Sequence, residues 1–173
     1  HLIGEGVDLK FSIKGKNCVA SKGKENMPDG EVFMAPVRES LNGHIKFDYP
    51  AIESGKEVTD IFLRFKDGKV VESSASKNQD FLKQMLLMDE NASYVGEFGI
   101  GCNPRITRFT KGLLFDEKIG GTIHLALGMA YRENGGGNDS VIHWDIVKNM
   151  EKAKIILDGK IVQESGKWKI KGV

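Results

Sequence analysis

The sequence predicts an α+β domain in which most strands are antiparallel. Three observations carry this prediction: short segments of alternating apolar and polar residues, two Asp-Gly turns between apolar runs, and one stretch with helical spacing. The chain has 173 residues, of which 40% are hydrophobic and 28% charged. That length and balance are typical of one folded domain with its own core. We therefore expect a single domain with a curved, mostly antiparallel sheet and a few helices.

The strand signals begin near the start of the chain and recur to its end. VDLKFSI alternates apolar and polar residues, and the apolar runs EVFMAPV, HIKFDYPAI and DIFLRF follow it. FKDGKVV and KIILDGKIV each place an Asp-Gly pair between two apolar runs, which is the strongest short signal of a β-hairpin. Both segments are therefore predicted to be hairpins, one in the first half of the chain and one closing the fold.

One segment changes period and predicts a helix. In KNQDFLKQMLLMDE, residues 77–90, the apolar residues Phe81, Leu82, Met85 and Leu86 follow the i, i+3, i+4 spacing of an amphipathic helix. Either Ser76 or Asn78 is placed to cap its first turn. After it, YVGEFGIGCNP reads as a strand interrupted by glycines, whereas periodicity does not decide the conformation of residues 105–131.

Charge and cysteine content exclude several classes of function. Lysine and arginine number 25 and aspartate and glutamate 24, so the net charge of +1 predicts no nucleic-acid partner. The apolar stretches are too short to cross a bilayer, so no membrane partner is expected. Cys18 and Cys102 form no CxxC pair, which excludes a zinc site built from thiolates. We expect both to be small buried residues in a reducing, cytoplasmic protein.

The segment SVIHWDIV carries the first chemical signal. On a strand, residues two apart share a face, so His143 and Asp145 point to one side and Trp144 to the other. An aspartate buried among apolar residues is costly unless it is paired or binds a metal. The alternative is a sheet with one face in water, on which both polar side chains are simply exposed.

Other polar residues in apolar surroundings extend this signal. His124 lies in GGTIHLALGMAY, where it is either a ligand or a core histidine, Glu97 lies in VGEFGIG, and Glu31 follows a Pro-Asp-Gly turn. Imidazoles and carboxylates without thiolates suit divalent ions such as zinc, cobalt, manganese or magnesium. Three carboxylates exceed what one zinc usually takes, which favours two ions that share a carboxylate, an arrangement used for hydrolysis.

Long motifs in the chain resemble a known family. NMPDGEVFMAP, VGEFGIGCNP, LLFDEKIGGTIHLALGMAY, SVIHWDIV and ILDGKIV are similar, in order and spacing, to signatures of the thermophilic aminopeptidases, metallopeptidase family twenty-nine. The resemblance covers nearly the whole chain. It implies an exopeptidase that removes N-terminal amino acids from peptides with a free N-terminus and uses two divalent ions, with zinc, cobalt or magnesium as the activating metals.

The resemblance also implies which residues bind the metals. Carried over motif by motif, the ligands are Glu31, Glu97, His124, Tyr131, His143 and Asp145. Tyr131 enters only through the resemblance, since a tyrosine after an apolar run is normally part of the core. A proton shuttle is also needed, and Glu117 is the candidate, with Lys118 as the partner of the developing oxyanion. The alternative for both is an exposed turn of mixed charge.

The domain prediction is that residues 1–173 form the metal-binding catalytic domain and that an N-terminal domain of the family is absent. Members of the family are longer, and the chain opens on His1 in what reads as a structured region. Dimer contacts occur in the family, so a homodimer is also an expectation. Two alternatives stay open: a folded metal-binding fragment without activity, and a different dinuclear hydrolase such as an amidase or phosphoesterase.

Overall fold

Antiparallel strands dominate the computed structural model, which describes residues 1–24 and 26–170. The larger sheet has eight strands, each antiparallel to its neighbours. In spatial order they are β15 (Lys167–Trp168), β14 (Lys160–Glu164), β13 (Ala153–Leu157), β1 (Leu2–Gly4), β2 (Val7–Lys10), β5 (Asn42–Lys46), β8 (Phe62–Lys66) and β9 (Lys69–Ser74).

A second sheet has five antiparallel strands and a third has two. The five are β12 (His143–Asn149), β11 (Thr122–Gly128), β10 (Val95–Gly101), β4 (Glu31–Met34) and β3 (Val19–Ser21). The pair is β6 (Ala51–Glu53) and β7 (Lys56–Val58). The predicted fold class is confirmed, although the strands divide among three sheets instead of forming one.

Both predicted hairpins are confirmed. Asp67 and Gly68 connect β8 to β9 with φ angles of 49° and 81°, and Asp158 and Gly159 connect β13 to β14 with φ angles of 47° and 79°. Two successive positive φ angles define the turn whose twist matches that of antiparallel strands. Aspartate followed by glycine tolerates this backbone, which is why the dipeptide identified both hairpins.

The predicted helix is confirmed, but its predicted cap is wrong. Helix α1 spans Gln79–Leu86 and buries Leu82, Met85 and Leu86. Asn78 precedes it in a left-handed conformation (φ 58°) and makes no capping hydrogen bond. Its side chain instead donates to the carbonyl of Glu57 (2.8 Å), so a tertiary contact replaces the local one. In the part of the chain that the structure describes, the other helical segments are α2 (Leu113–Asp116) and the 3₁₀ turns Arg38–Ser40 and Arg132–Asn134.

One apolar cluster joins the two large sheets. Leu9 and Leu63 of the eight-stranded sheet belong to the same buried cluster as Leu125, Trp144 and Ile146 of the five-stranded sheet. Because strand residues alternate between faces, the opposite face of β10, β11 and β12 is left for other side chains. That face carries the polar residues that the sequence singled out.

Two smaller predictions have different outcomes. Cys102 is half-buried, but Cys18 is exposed, so the expectation that both cysteines are buried is wrong for Cys18. Among the described residues no helix combines the length and apolar character needed to cross a membrane.

Candidate metal centre

Four adjacent strands bring the predicted ligands to one face of the five-stranded sheet. β4 carries Glu31, β10 carries Glu97, β11 carries His124, and β12 carries both His143 and Asp145. The strands lie side by side in the order β12-β11-β10-β4, so residues distant in sequence become neighbours. Glu31, Glu97 and Asp145 are 6%, 5% and 5% exposed, so their carboxylates are buried polar groups.

A glycine makes room for the central histidine. Gly99 pairs with His124 across β10 and β11, and a Cβ atom on Gly99 would lie 1.9 Å from His124 Nε2. No side chain fits at that distance, so the imidazole occupies the space that any other residue would fill.

Glu31, Glu97 and His124 form the first group of candidate ligand atoms. His124 Nε2 lies 3.3 Å from Glu31 Oε2 and 3.4 Å from Glu97 Oε1. His124 is completely buried, and neither ring nitrogen has a well-oriented hydrogen-bond partner among the described residues. Burial lowers its pKa, but the surrounding carboxylates outweigh burial and raise the pKa to about 9. A buried imidazole without hydrogen bonds, facing two carboxylates, is well suited to a cation.

Glu97, His143 and Asp145 form the second group. His143 Nε2 lies 3.4 Å from Asp145 Oδ2, while His143 Nδ1 lies 2.8 Å from the carbonyl oxygen of Met129. That carbonyl requires a proton on Nδ1, so Nε2 is the nitrogen that can bind a metal. Burial lowers the pKa of His143, but Asp145 outweighs it and raises the pKa to about 9. The alternative of an exposed sheet face is wrong, because Asp145 is buried.

Glu97 belongs to both groups. Within each group, one ligand atom from every residue lies within 4.8 Å of the others. Asn134, which is completely buried, donates from Nδ2 to Glu97 Oε2 at 3.1 Å. The carbonyl of Asn134 also accepts a hydrogen bond from the backbone of Ala35 (3.2 Å). Sequence reasoning missed Asn134, because its neighbours ENGGGND signal only a flexible loop.

Glu117 and Lys118 lie at the same site, and the alternative of an exposed turn is wrong for Lys118, which is completely buried. The ammonium of Lys118 contacts Glu117 and lies 3.3 Å from Glu31 Oε1. Burial lowers the pKa of Lys118, but these two carboxylates outweigh burial and raise it. Burial raises the pKa of the Glu117 carboxyl, and burial likewise raises that of Glu31, to about 6.

A second buried acid supports this segment and was also missed. Asp116, 2% exposed, accepts hydrogen bonds from the backbone and hydroxyl of Thr110 (2.7 and 2.9 Å). These bonds hold the turn that leads into Glu117 and Lys118. In the sequence, Asp116 stands next to Glu117 and a lysine, a pattern more typical of exposed residues.

Tyr131 lies at the wall of the site. Its ring centroid is 4.6 Å from that of His143, and the residue is 39% exposed, so it is not part of the core. Burial raises the pKa of its phenol, and the charges of Asp145, Glu97 and Glu117 raise it further. Tyr131 is therefore close to the second group of ligand atoms without being enclosed by it.

The ligand atoms face a cavity of about 540 Å³. Five carboxylates line it, together with other polar side chains and three apolar ones. The lining residues include Glu31, Glu97, Glu117, Glu133, Asp145, His143, Tyr131, Val19, Phe33 and Leu113. A cavity of this size and charge admits a small polar ligand or one end of a peptide, and it favours cations.

The chain matches a known protein family and several of its members. The family model described as thermophilic metalloprotease (M29) matches residues 1–168. The chain belongs to the M29 family. Aminopeptidase T from Thermus aquaticus is 32% identical to it over 98% of this chain and 48% of the relative. Aminopeptidase AmpS from Bacillus subtilis is 28% identical over 97% of this chain and 48% of AmpS.

Solved structures give the same result for the fold. Wild-type AmpT from Thermus thermophilus matches with a TM-score of 0.84 and 32% identity, covering 98% of the M29 chain and 49% of AmpT. A 2,5-dihydroxypyridine dioxygenase from Pseudomonas putida KT2440 matches with a TM-score of 0.76 but only 18% identity, which shows a shared fold alone. The M29 chain spans about half the length of these relatives.

Proposed function

We propose that this chain is the metal-binding catalytic part of an aminopeptidase that holds two divalent ions. The observation that carries the proposal is the position of Glu97, whose carboxylate belongs to both groups of ligand atoms. A carboxylate with two oxygens can serve one ion with each, as shared ligands do in two-metal sites. Membership of the M29 family supports the same conclusion.

The donor set fits the proposed ions. Glu31 and His124 would hold one ion and His143 and Asp145 the other, with Glu97 between them. Oxygen and imidazole nitrogen donors suit zinc, cobalt, manganese and magnesium. The sixth predicted ligand, Tyr131, is placed beside His143 and keeps that role as part of the proposal.

Bound ions would supply an activated water and polarise the carbonyl of the scissile bond. The protein supplies the proton transfer. Glu117 is the proposed base, because it lines the cavity and its raised pKa makes proton uptake easier than for an ordinary carboxylate. Lys118 lies between Glu31 and Glu117. These contacts favour a role in positioning Glu117, rather than the oxyanion role that the sequence suggested.

The charge of the cavity supports a substrate with a free amine. Its wall also carries Glu133, which is not among the proposed ligands and whose carboxylate can attract the ammonium group of a peptide N-terminus. The relatives carry the name aminopeptidase, which favours peptides as the substrate class. The two free cysteines support a reducing compartment such as the cytoplasm.

Metal content and turnover, measured on the same sample, test the proposal. The chain is loaded with cobalt, zinc, manganese or magnesium at neutral pH, and bound metal is counted after gel filtration. Hydrolysis of leucine p-nitroanilide is then followed, with the N-acetylated compound as the matched control. We expect two ions per chain and cleavage of the free-amine substrate only.

Two other results would change the conclusion. Two bound ions without turnover would favour the second candidate, a folded metal-binding fragment, which is motivated by the half-length match to the relatives. Absence of bound metal would contradict both candidates.

A further inference from the structure

A second, smaller cavity adjoins the ligand cluster. Its volume is about 140 Å³, and it shares Asp145 and Leu113 with the larger cavity that contains the ligand atoms. The two-stranded sheet forms part of its wall, because β6 packs beside the strand that carries Asp145. A group bound at the ligands therefore has a neighbouring space to one side.

Apolar side chains outnumber charged ones in this wall, although polar and apolar atoms face the cavity about equally. Pro50, Ala51, Ile52 and Val147 line it, together with Phe109. The Phe109 ring is held in place by Tyr49, on which it stacks with ring centroids 4.8 Å apart and ring planes 10° apart.

The charged residues of the wall are already engaged elsewhere. Asp116 accepts two hydrogen bonds from Thr110, and the ammonium of Lys111 lies 3.3 Å from Glu57. Asp145 is one of the proposed ligands. A guest in this cavity therefore contacts the apolar side chains, beside carboxylates that would repel an acidic group.

The volume sets the size of the guest. A space of 140 Å³ holds about four or five water-sized groups, at roughly 30 Å³ each. That is the size of a leucine or methionine side chain, and it is too small for a peptide backbone with its side chains.

We propose that this cavity binds the side chain of the N-terminal residue of the substrate and selects medium-sized aliphatic residues. The inference rests on the proposed aminopeptidase function. In an N-terminal residue, the carbon that bears the side chain is bonded to both the amine and the scissile carbonyl. If those two groups lie at the ligand cluster, the side chain must enter an adjoining space, and this cavity shares Asp145 with the cluster.

Two variants change the cavity in opposite directions. Phe109→Ala removes a half-buried ring and enlarges it, whereas Ile52→Phe adds volume to the wall. Phe115→Ala is the control, because Phe115 is 45% exposed and is absent from the linings of both cavities. Opposite shifts in preference cannot result from a general loss of structure, which circular dichroism checks for each variant.

The readout is binding of free amino acids to the cobalt-loaded chain, measured by calorimetry, together with kcat/KM for the matching p-nitroanilides. L-Leucine is expected to bind about 10-fold or more tightly than L-alanine, and L-glutamate weakest. Phe109→Ala should shift the preference towards L-phenylalanine, Ile52→Phe should shift it towards L-alanine, and Phe115→Ala should leave it unchanged.

The outcomes separate this inference from the function on which it rests. The order of preference among amino acids could be identical in wild type, Phe109→Ala and Ile52→Phe. That result would overturn the cavity assignment but leave the proposed aminopeptidase function intact. Binding with the expected order and shifts, but without cleavage of any substrate, would support the cavity and contradict the proposed activity. A metal-loaded chain that binds no amino acid would overturn the cavity assignment.

Discussion

The two large sheets use the same strand geometry for opposite purposes. In the eight-stranded sheet, β2 and β8 alternate between buried and exposed residues, and the ion pair of Arg64 with Glu72 (2.7 Å) lies in solvent, with side chains 48% and 58% exposed. In the five-stranded sheet, every residue of β10 and β11 is buried. The two faces of these strands differ in polarity instead of exposure, because one face carries apolar residues and the other carries the polar ones.

This difference shows what makes one sheet face suitable for a metal site. Exposed ion pairs contribute little to stability and are screened by salt. Buried carboxylates and imidazoles are costly unless cations or hydrogen bonds compensate for the lost water. Lys118 compensates for part of this cost at Glu31, and the face carrying Glu31, Glu97 and His124 suits a further cation, whereas the exposed face of the other sheet has no such need.

The largest expected effect compares one histidine from each sheet. His143 belongs to β12 and to a ligand group, whereas His44 belongs to β5 and packs near Phe62 with ring centroids 5.9 Å apart. We expect His143→Ala to weaken metal binding by more than the roughly 10- to 100-fold typical of losing an outer-shell partner. His44→Ala should leave metal affinity unchanged. Calorimetric titration with zinc measures both, and equal losses would contradict the ligand set.

The next effect concerns the space for His124. Gly99→Ala places a methyl group where His124 Nε2 now lies, so the imidazole or the strand must move. Overpacking of this kind costs about 1–3 kcal/mol, and we expect a lower thermal midpoint together with weaker metal binding. Gly112→Ala is the matched control, since the nearest atom to its added Cβ is Thr110 Oγ1 at 3.3 Å. Similar midpoints for the two variants would contradict the proposed role of Gly99.

A smaller effect is expected from the partner of Glu97. Asn134→Ala removes the hydrogen bond that orients the shared carboxylate, and metal affinity should fall by about 10- to 100-fold. Asn42→Ala is the control, because Asn42 accepts a hydrogen bond from the backbone of Asp67 and belongs to β5 of the eight-stranded sheet, which carries none of the candidate ligands. Unchanged affinity in Asn134→Ala would show that Glu97 needs no such support.

The smallest effect is at Asp89, between helix α1 and the start of β12. Its carboxylate accepts hydrogen bonds from Ser140 (2.7 Å) and from the backbone of Val141 and Asn91 (2.8 Å each). Burial raises the pKa of Asp89, but these bonds outweigh burial and lower it. Asp89→Asn should cost about 1 kcal/mol at neutral pH.

The lowered pKa also sets the sign of the pH dependence. The ionised carboxylate stabilises the fold above its unfolded pKa of about 3.9, and this contribution is lost as the pH falls through the lower folded pKa. The stability difference between wild type and Asp89→Asn should therefore shrink below about pH 4. Urea unfolding from neutral to acidic pH measures it, and a constant difference would contradict this account.

Local features of the chain could be predicted from the sequence because their causes are local. The Asp67-Gly68 and Asp158-Gly159 turns and the helix at Gln79–Leu86 depend on residues a few positions apart. The cap at Asn78 could not be predicted, because a distant carbonyl competes for its side chain.

The residues of the site also divide into those that the sequence predicted and those that it did not. Period-two spacing in SVIHWDIV and the apolar settings of His124, Glu97 and Glu31 identified residues that needed a partner, and the resemblance to a family supplied Tyr131. The burial of Lys118 and the roles of Asn134 and Asp116 were not predictable, because each depends on contacts across the fold.

By itself the sequence determined which residues are candidates for the site, where the chain turns, and which family it resembles. Only the tertiary structure decided that four strands lie in the order β12-β11-β10-β4, that Glu97 is shared, and that Asn134 and Lys118 hold the carboxylates. The physical reason is that periodicity records which face of a strand is apolar, whereas the distance between two ligand atoms depends on strand order and register. Those are fixed by the packing of the whole domain.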